Sequence, residues 1–142
     1  MFNIDEFHYL IGQTLMYCQV IEHDVKYIYA AMHVGGFEDN LEEIKKCSLG
    51  QTLQKLRELD FSDKNSYISA DDYNFLKQMT EKRNHWCHKT YQNFLYNNNF
   101  LQSKEFENEY RKLKRDNERF SNVYKILEEI RIQALKDYGR VK

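Results

Sequence analysis

The sequence predicts an all-α protein, an antiparallel bundle of four main long helices with one further short helix. Three observations carry that prediction. The 142 residues contain no Pro and only five Gly, so little interrupts a helix once it has started. Apolar residues recur at alternating steps of three and four over long segments, which places them on one helical face. No segment reads as a strand, an internal repeat or a low-complexity tract. A chain of this length suits one domain with one core, residues 1–142.

The first helix is expected from about Ile4 to Val34. Ile4, Phe7, Ile11, Thr14, Cys18, Ile21, Val25, Ile28 and Met32 form one continuous seam. Asn3 can cap its start, and Asp5 and Glu6 suit the positive end of the helix dipole. Gly35 and Gly36 end it. LEEIKK, residues 41–46, is a candidate short helix. Ser48 caps the next helix, whose stripe is Leu49, Leu53, Leu56 and Leu59, and FSDKNSYI at 61–68 reads as a loop. Ser69 followed by Asp72 is a capping-box pattern with Asp in place of Glu, opening a helix over about Ala70 to Leu95. The Asn run at 97–99 marks its frayed end. Ser103 caps the last helix, about Lys104 to Tyr138. Phe106, Tyr110, Leu113, Asn117, Phe120, Tyr124, Leu127, Arg131, Ala134 and Tyr138 keep the same rhythm there, and Gly139 ends it. Helices of ~25–35 residues would be ~40–50 Å long at 1.5 Å per residue. The 11 Tyr suit seam edges and interfaces better than a dry core, and the long side surface favours a homodimer.

Composition excludes several classes. Lys and Arg number 21 against 22 Asp and Glu, a net charge of −1, so an anionic partner would have to be held by a local patch rather than by bulk charge. Cys18, Cys47 and Cys87 form no CxxC pair, which points to a reducing compartment. MFNIDEF carries acids where a signal peptide carries basic residues. The longest apolar run, Tyr27 to Met32, is far short of a membrane span. The expectation is a cytoplasmic protein without membrane attachment.

The densest chemistry lies in EKRNHWCHKT, residues 81–90, where Arg83, Asn84, His85, Trp86, Cys87 and His88 are consecutive. On a regular wheel of 100° per residue, Tyr73, Leu76, Met79, Thr80, Cys87, Thr90, Tyr91 and Phe94 share one face. Arg83 falls inside that apolar face. Asn84 and His88 stack at its edge, His85 points away, and Trp86 sits on the opposite edge. An Arg on an apolar stripe either snorkels, meets a buried acid of a neighbouring helix, or opens into a cleft where its guanidinium can grip phosphate. His85, Cys87 and His88 make a poor metal set, because they project onto different faces and would need ligands such as Cys18 or His23 from elsewhere. No metal or cofactor is expected.

Arg83, four residues and then His88, with polar Asn84 directly after the Arg, resembles the signature of HEPN-domain ribonucleases. The likeness covers six residues as a motif and most of the chain as helical architecture. The resemblance implies a metal-independent endoribonuclease, the toxin of a toxin–antitoxin pair or a phage-defence effector. Arg83 would hold the scissile phosphate, His88 would act as general acid/base on the 2′-hydroxyl or leaving oxygen, and Asn84 would orient the ring or the substrate. Lys82, Lys89 and Tyr91 would contact the RNA. A composite site in a homodimer and an antitoxin protein partner are also implied. The family's toxins that pair with a nucleotidyltransferase antitoxin often carry a Tyr two residues after the His. Here that position is Thr90, with Tyr91 next.

The chemistry stands on its own terms: a cation aimed at phosphate stabilises developing charge, and a His can carry protons near neutral pH. Lys77, Lys82, Arg83 and Lys89 outweigh Glu81 in this region, and Arg111, Lys112, Lys114 and Arg115 form a second basic run. Either could meet an RNA backbone; the plainer reading is that both are solvated faces with acids nearby, and for the second run that reading is preferred. The competing expectation is a non-catalytic helical module for protein interaction or RNA binding, with Arg83 buried against an acid.

Overall fold

A computed structural model describes residues 3–62 and 65–141 of the chain. Positions 63 and 64 of the expected loop at 61–68 lie outside the described residues. The protein is all-α. Its helices are α1 (Ile4–Met32), α2 (Phe37–Lys45), α3 (Leu49–Asp60), α4 (Ala70–Asn84) and α5 (Lys104–Asp137), and no described residue is in a strand. Only α1, with 29 residues, and α5, with 34, reach the length expected of the main helices; α3 has 12 and α4 has 15. The helix expected over Ala70 to Leu95 stops at Asn84. A π-helical segment, His85–Lys89, and a 3₁₀ turn, Thr90–Asn93, replace its second half.

The termini follow from local chemistry. The Asn3 side chain accepts from Asp5 N at 2.8 Å. Ser48 accepts from Gln51 N while the Gln51 side chain accepts from Ser48 N, a complete capping box. Ser69 Oγ accepts from Asp72 N, and Ser103 Oγ from Phe106 N, each at 3.1 Å. Gly35 (φ 96°) follows α1 and Gly139 (φ 64°) follows α5, both in the left-handed region that glycine enters without a Cβ clash.

The fold packs as two compact units, each containing part of α1 and part of α5. The first is Met1–Gln19 with Met79–Asn122, and the second is Val20–Gln78 with Val123–Lys142. In the first unit Phe7, Ile11, Trp86, Phe94, Phe106, Tyr110 and Leu113 form an aromatic core. Phe7 lies 5.3 Å from Phe94 and 5.4 Å from Phe106, ring centre to ring centre, in the range where offset and edge-on rings attract. Asn117 donates to Gln13 Oε1 and Thr14 Oγ1, each at 3.0 Å, so a polar residue in the α5 seam is satisfied.

The second unit buries mainly aliphatic side chains, among them Ile21, Val25, Ile28, Ile44, Leu56, Ile68, Leu76 and Leu127. Buried Asp60 organises it. Its carboxylate accepts from Tyr67 N at 2.7 Å, Ile68 N at 3.0 Å and the Tyr73 hydroxyl at 2.7 Å. Burial and that bond to Asp60 push the Tyr73 phenol far above its ordinary range. Arg131, the other polar interruption of the α5 seam, donates to buried Asp24 at 3.0 Å. Free carbonyls at the end of α1 are satisfied by Asn40, which reaches Ala30 O and His33 O, and by Arg140, which reaches Ala31 O and His33 O.

Candidate functional site

The site is built on residues 81–93, inside the first unit. Two carboxylates of α5, Glu109 and Asp116, hold this stretch from within. They are seven residues apart and so share a helical face. Asp116 accepts from Lys82 Nζ at 3.2 Å and from the Trp86 indole at 2.8 Å. Glu109 accepts from Thr90 Oγ1 at 2.9 Å and Asn93 Nδ2 at 2.7 Å. His85 Nε2 lies 2.8 Å from the same carboxylate, and with the glutamate ionised that ring nitrogen donates.

This double anchorage gives a physical reason for the π segment. In a regular α-helix residues 85 and 90 would point about 140° apart, too far to share one carboxylate. Thr90 N–H bonds to His85 C=O, the five-residue step of a π turn. The wider turn brings both side chains onto Glu109. Burial pushes the Glu109 carboxyl up, but the bonds from His85, Asn93 and Thr90 outweigh burial and hold it below its ordinary value.

The anchors revise the regular wheel. Trp86, expected at an edge, is in the core at 1% exposure. His85, expected to point away, is partly buried against Glu109. Cys87, expected in the apolar face, is exposed, whereas Thr90 and Phe94 are buried as expected. A fixed 100° step fails because a π turn holds more residues than an α turn.

Of the residues predicted for catalysis, Arg83 is half-buried, and Asn84 and His88 are exposed. The His88 carbonyl accepts from Gln92 Nε2 at 3.3 Å. Of those predicted to contact substrate, Lys89 is exposed and Lys82 is engaged with Asp116. Tyr91 is half-buried, and its hydroxyl lies 2.6 Å from His8 Nδ1. Burial raises the Tyr91 phenol above its ordinary value. The stretch therefore has two sides. Lys82, His85, Trp86 and Thr90 hold the fold, while Asn84, Cys87, His88 and Lys89 face outward.

Sequence reasoning missed Glu109, Asp116 and His8. Glu109 and Asp116 stand directly before the seam residues Tyr110 and Asn117, and two acids bordering an apolar seam at a seven-residue interval was the available signal. Among the described residues no three His, Cys, Asp or Glu side chains are grouped to hold a metal ion, and no helix is long and apolar enough to cross a membrane. No protein-family model matches the chain, and no match was found among curated proteins or solved structures.

Proposed function

We propose that this chain is a metal-independent endoribonuclease with an HEPN-like helical bundle, acting as the toxin of a toxin–antitoxin or phage-defence system. What supports the reading is the exposure of Asn84 and His88 beside half-buried Arg83, on a stretch that passes from α- to π-helical at His85. With Lys82 and Trp86 occupying Asp116, and His85 and Thr90 occupying Glu109, the inner side of the stretch is fixed and His88 and Asn84 are presented outward.

In the proposed reaction the RNA 2′-oxygen attacks the adjacent phosphorus and the bond from phosphorus to the 5′-oxygen breaks. A cyclic 2′,3′-phosphate and a 5′-hydroxyl result. One histidine takes the proton of the 2′-hydroxyl and another delivers a proton to the departing 5′-oxygen. Each chain offers one His88, so a homodimer supplies the pair across a two-fold axis. Arg83 neutralises charge growing on the phosphoryl oxygens, and Asn84 orients His88 or the substrate. An antitoxin protein would cover this outward side.

The test is cleavage of a labelled single-stranded RNA in EDTA. Wild type should leave cyclic-phosphate ends, and His88→Ala should lower the rate by roughly 10²–10⁴-fold. Cleavage abolished by EDTA, or undiminished in His88→Ala, would remove the mechanism. The second reading, a non-catalytic interaction or RNA-binding module, draws on the same anchors, because Lys82, His85, Trp86 and Thr90 all serve packing. It predicts no cleavage at any protein concentration.

A further inference from the structure

The second basic run occupies a definite place. Arg111, Lys112, Lys114 and Arg115, with Asn108, line a surface hollow on α5 whose wall, among the described residues, holds no acid. Asn108, Arg111, Lys112 and Arg115 follow the spacing i, i+3, i+4, i+7, which is one face of a helix. Leu113, in the middle of the run, is fully buried, so the core fixes the rotation of α5 and keeps this face outward. In a chain of net charge −1, four cations within five residues are a local concentration rather than a share of a general positive charge.

The hollow is also tied to the motif stretch. The Lys112 ammonium lies 5.8 Å from the centre of the Trp86 ring, a cation–π contact. Trp86 in turn donates to Asp116, one residue beyond the run, and Lys82 of the stretch meets the same carboxylate. Lys112 is thereby held against the inner, packing side of the stretch. Two of the nearby acids are weak partners. Glu107 meets Arg111 through an exposed i,i+4 pair at 2.7 Å, and Glu6 meets Lys114 at 3.9 Å across an exposed pair. Such surface pairs contribute little and yield readily to a polyanion.

We propose that this face of α5 is a docking track for the phosphate backbone of single-stranded RNA, beside the helix that carries the motif stretch. The inference rests on the ribonuclease reading for the identity of the polyanion. Backbone contacts of this kind position the strand without selecting sequence. They are also salt-sensitive: each phosphate neutralised by a cation contributes about −0.7 to the slope of log affinity against log salt for a single strand.

The test measures binding of a fluorescent single-stranded RNA to His88→Ala protein, which keeps the strand intact, across a salt series. The comparison is His88→Ala carrying Arg111→Ala, Lys112→Ala and Arg115→Ala. A control carries Lys46→Ala, Lys125→Ala and Lys136→Ala, exposed positions of the second unit with the same change of net charge. A thermal melt of each protein verifies folding, and single substitutions replace the triple variant if it melts early. The track predicts a slope shallower by about 2 in the triple variant, weaker binding at low salt, and no change in the control. An unchanged slope in the triple variant, or an equal loss in the control, would overturn the track while leaving cleavage by wild type as a separate result. Absence of RNA binding by His88→Ala would overturn it too. Failure of the ribonuclease reading instead shows as binding without cleavage.

Discussion

Asp60 and Glu109 are both buried carboxylates that accept three hydrogen bonds, yet they fix different things. Asp60, in the second unit, takes two main-chain amides and one phenol. It closes the turn that precedes α4 and leaves that helix regular. Glu109, in the first unit, takes side chains at positions 85, 90 and 93. Gathering those three onto one carboxylate goes with a π turn and a 3₁₀ turn where a regular helix was expected. The lesson is that a buried acid stabilises a fold through whichever donors it gathers. When the donors are side chains, it can also bend the backbone that carries them.

The sharpest way to break the comparison is Asp60→Ala. It strands two main-chain N–H groups and the Tyr73 hydroxyl in the core, and should lower stability by about 3–5 kcal/mol, read from a denaturant midpoint. Glu109→Gln should cost about 2 kcal/mol, since the amide keeps the shape but loses charge-assisted acceptance from His85. If the two substitutions proved equal, the distinction between main-chain and side-chain donors would carry no weight.

Acid sharpens the comparison further. The folded Glu109 carboxyl lies below its ordinary value. Its contribution to stability is therefore complete above the unfolded value, about pH 4.3, and is lost as pH falls through the lower folded value. Thermal melts from about pH 6 down to pH 2 should show a shallower acid slope in Glu109→Gln than in wild type. Parallel curves would mean that the carboxylate is no better stabilised in the fold than in the unfolded chain. The smallest effect belongs to Ser48→Ala, which opens the capping box of α3 and should remove about 1 kcal/mol. That change lies away from both carboxylates and serves as the baseline.

Much of the fold was legible because α1 and α5 are regular. Eight of the nine residues expected in the α1 seam, Phe7 to Met32, are buried, as are Phe106, Tyr110, Leu113, Phe120, Leu127 and Ala134 of α5. Asn3, Ser48, Ser69 and Ser103 cap where their side chains predict. The site was less legible. The wheel used to orient residues 83 to 91 assumes a constant turn, and no local pattern in EKRNHWCHKT announces a π segment. Its partners lie 16 to 34 residues away, in acids that matter only once α5 is alongside. His85 looked idle and Trp86 marginal because Glu109 and Asp116 could not be seen as their partners. Arg83 and His88 stand out as residue types, but the change from α to π geometry at His85, between them in sequence, does not.

One preparation of Arg83→Ala, read by a thermal melt and by RNA cleavage in EDTA, separates a phosphate-binding Arg83 from a structural one. With Arg83 on phosphate, cleavage should fall by roughly 10²-fold or more, as for loss of a transition-state charge donor, while stability changes by less than about 1 kcal/mol. A variant destabilised by about 3–5 kcal/mol, the mark of a broken buried ion pair, together with a wild type that cleaves no RNA, would contradict that role and assign Arg83 to the fold.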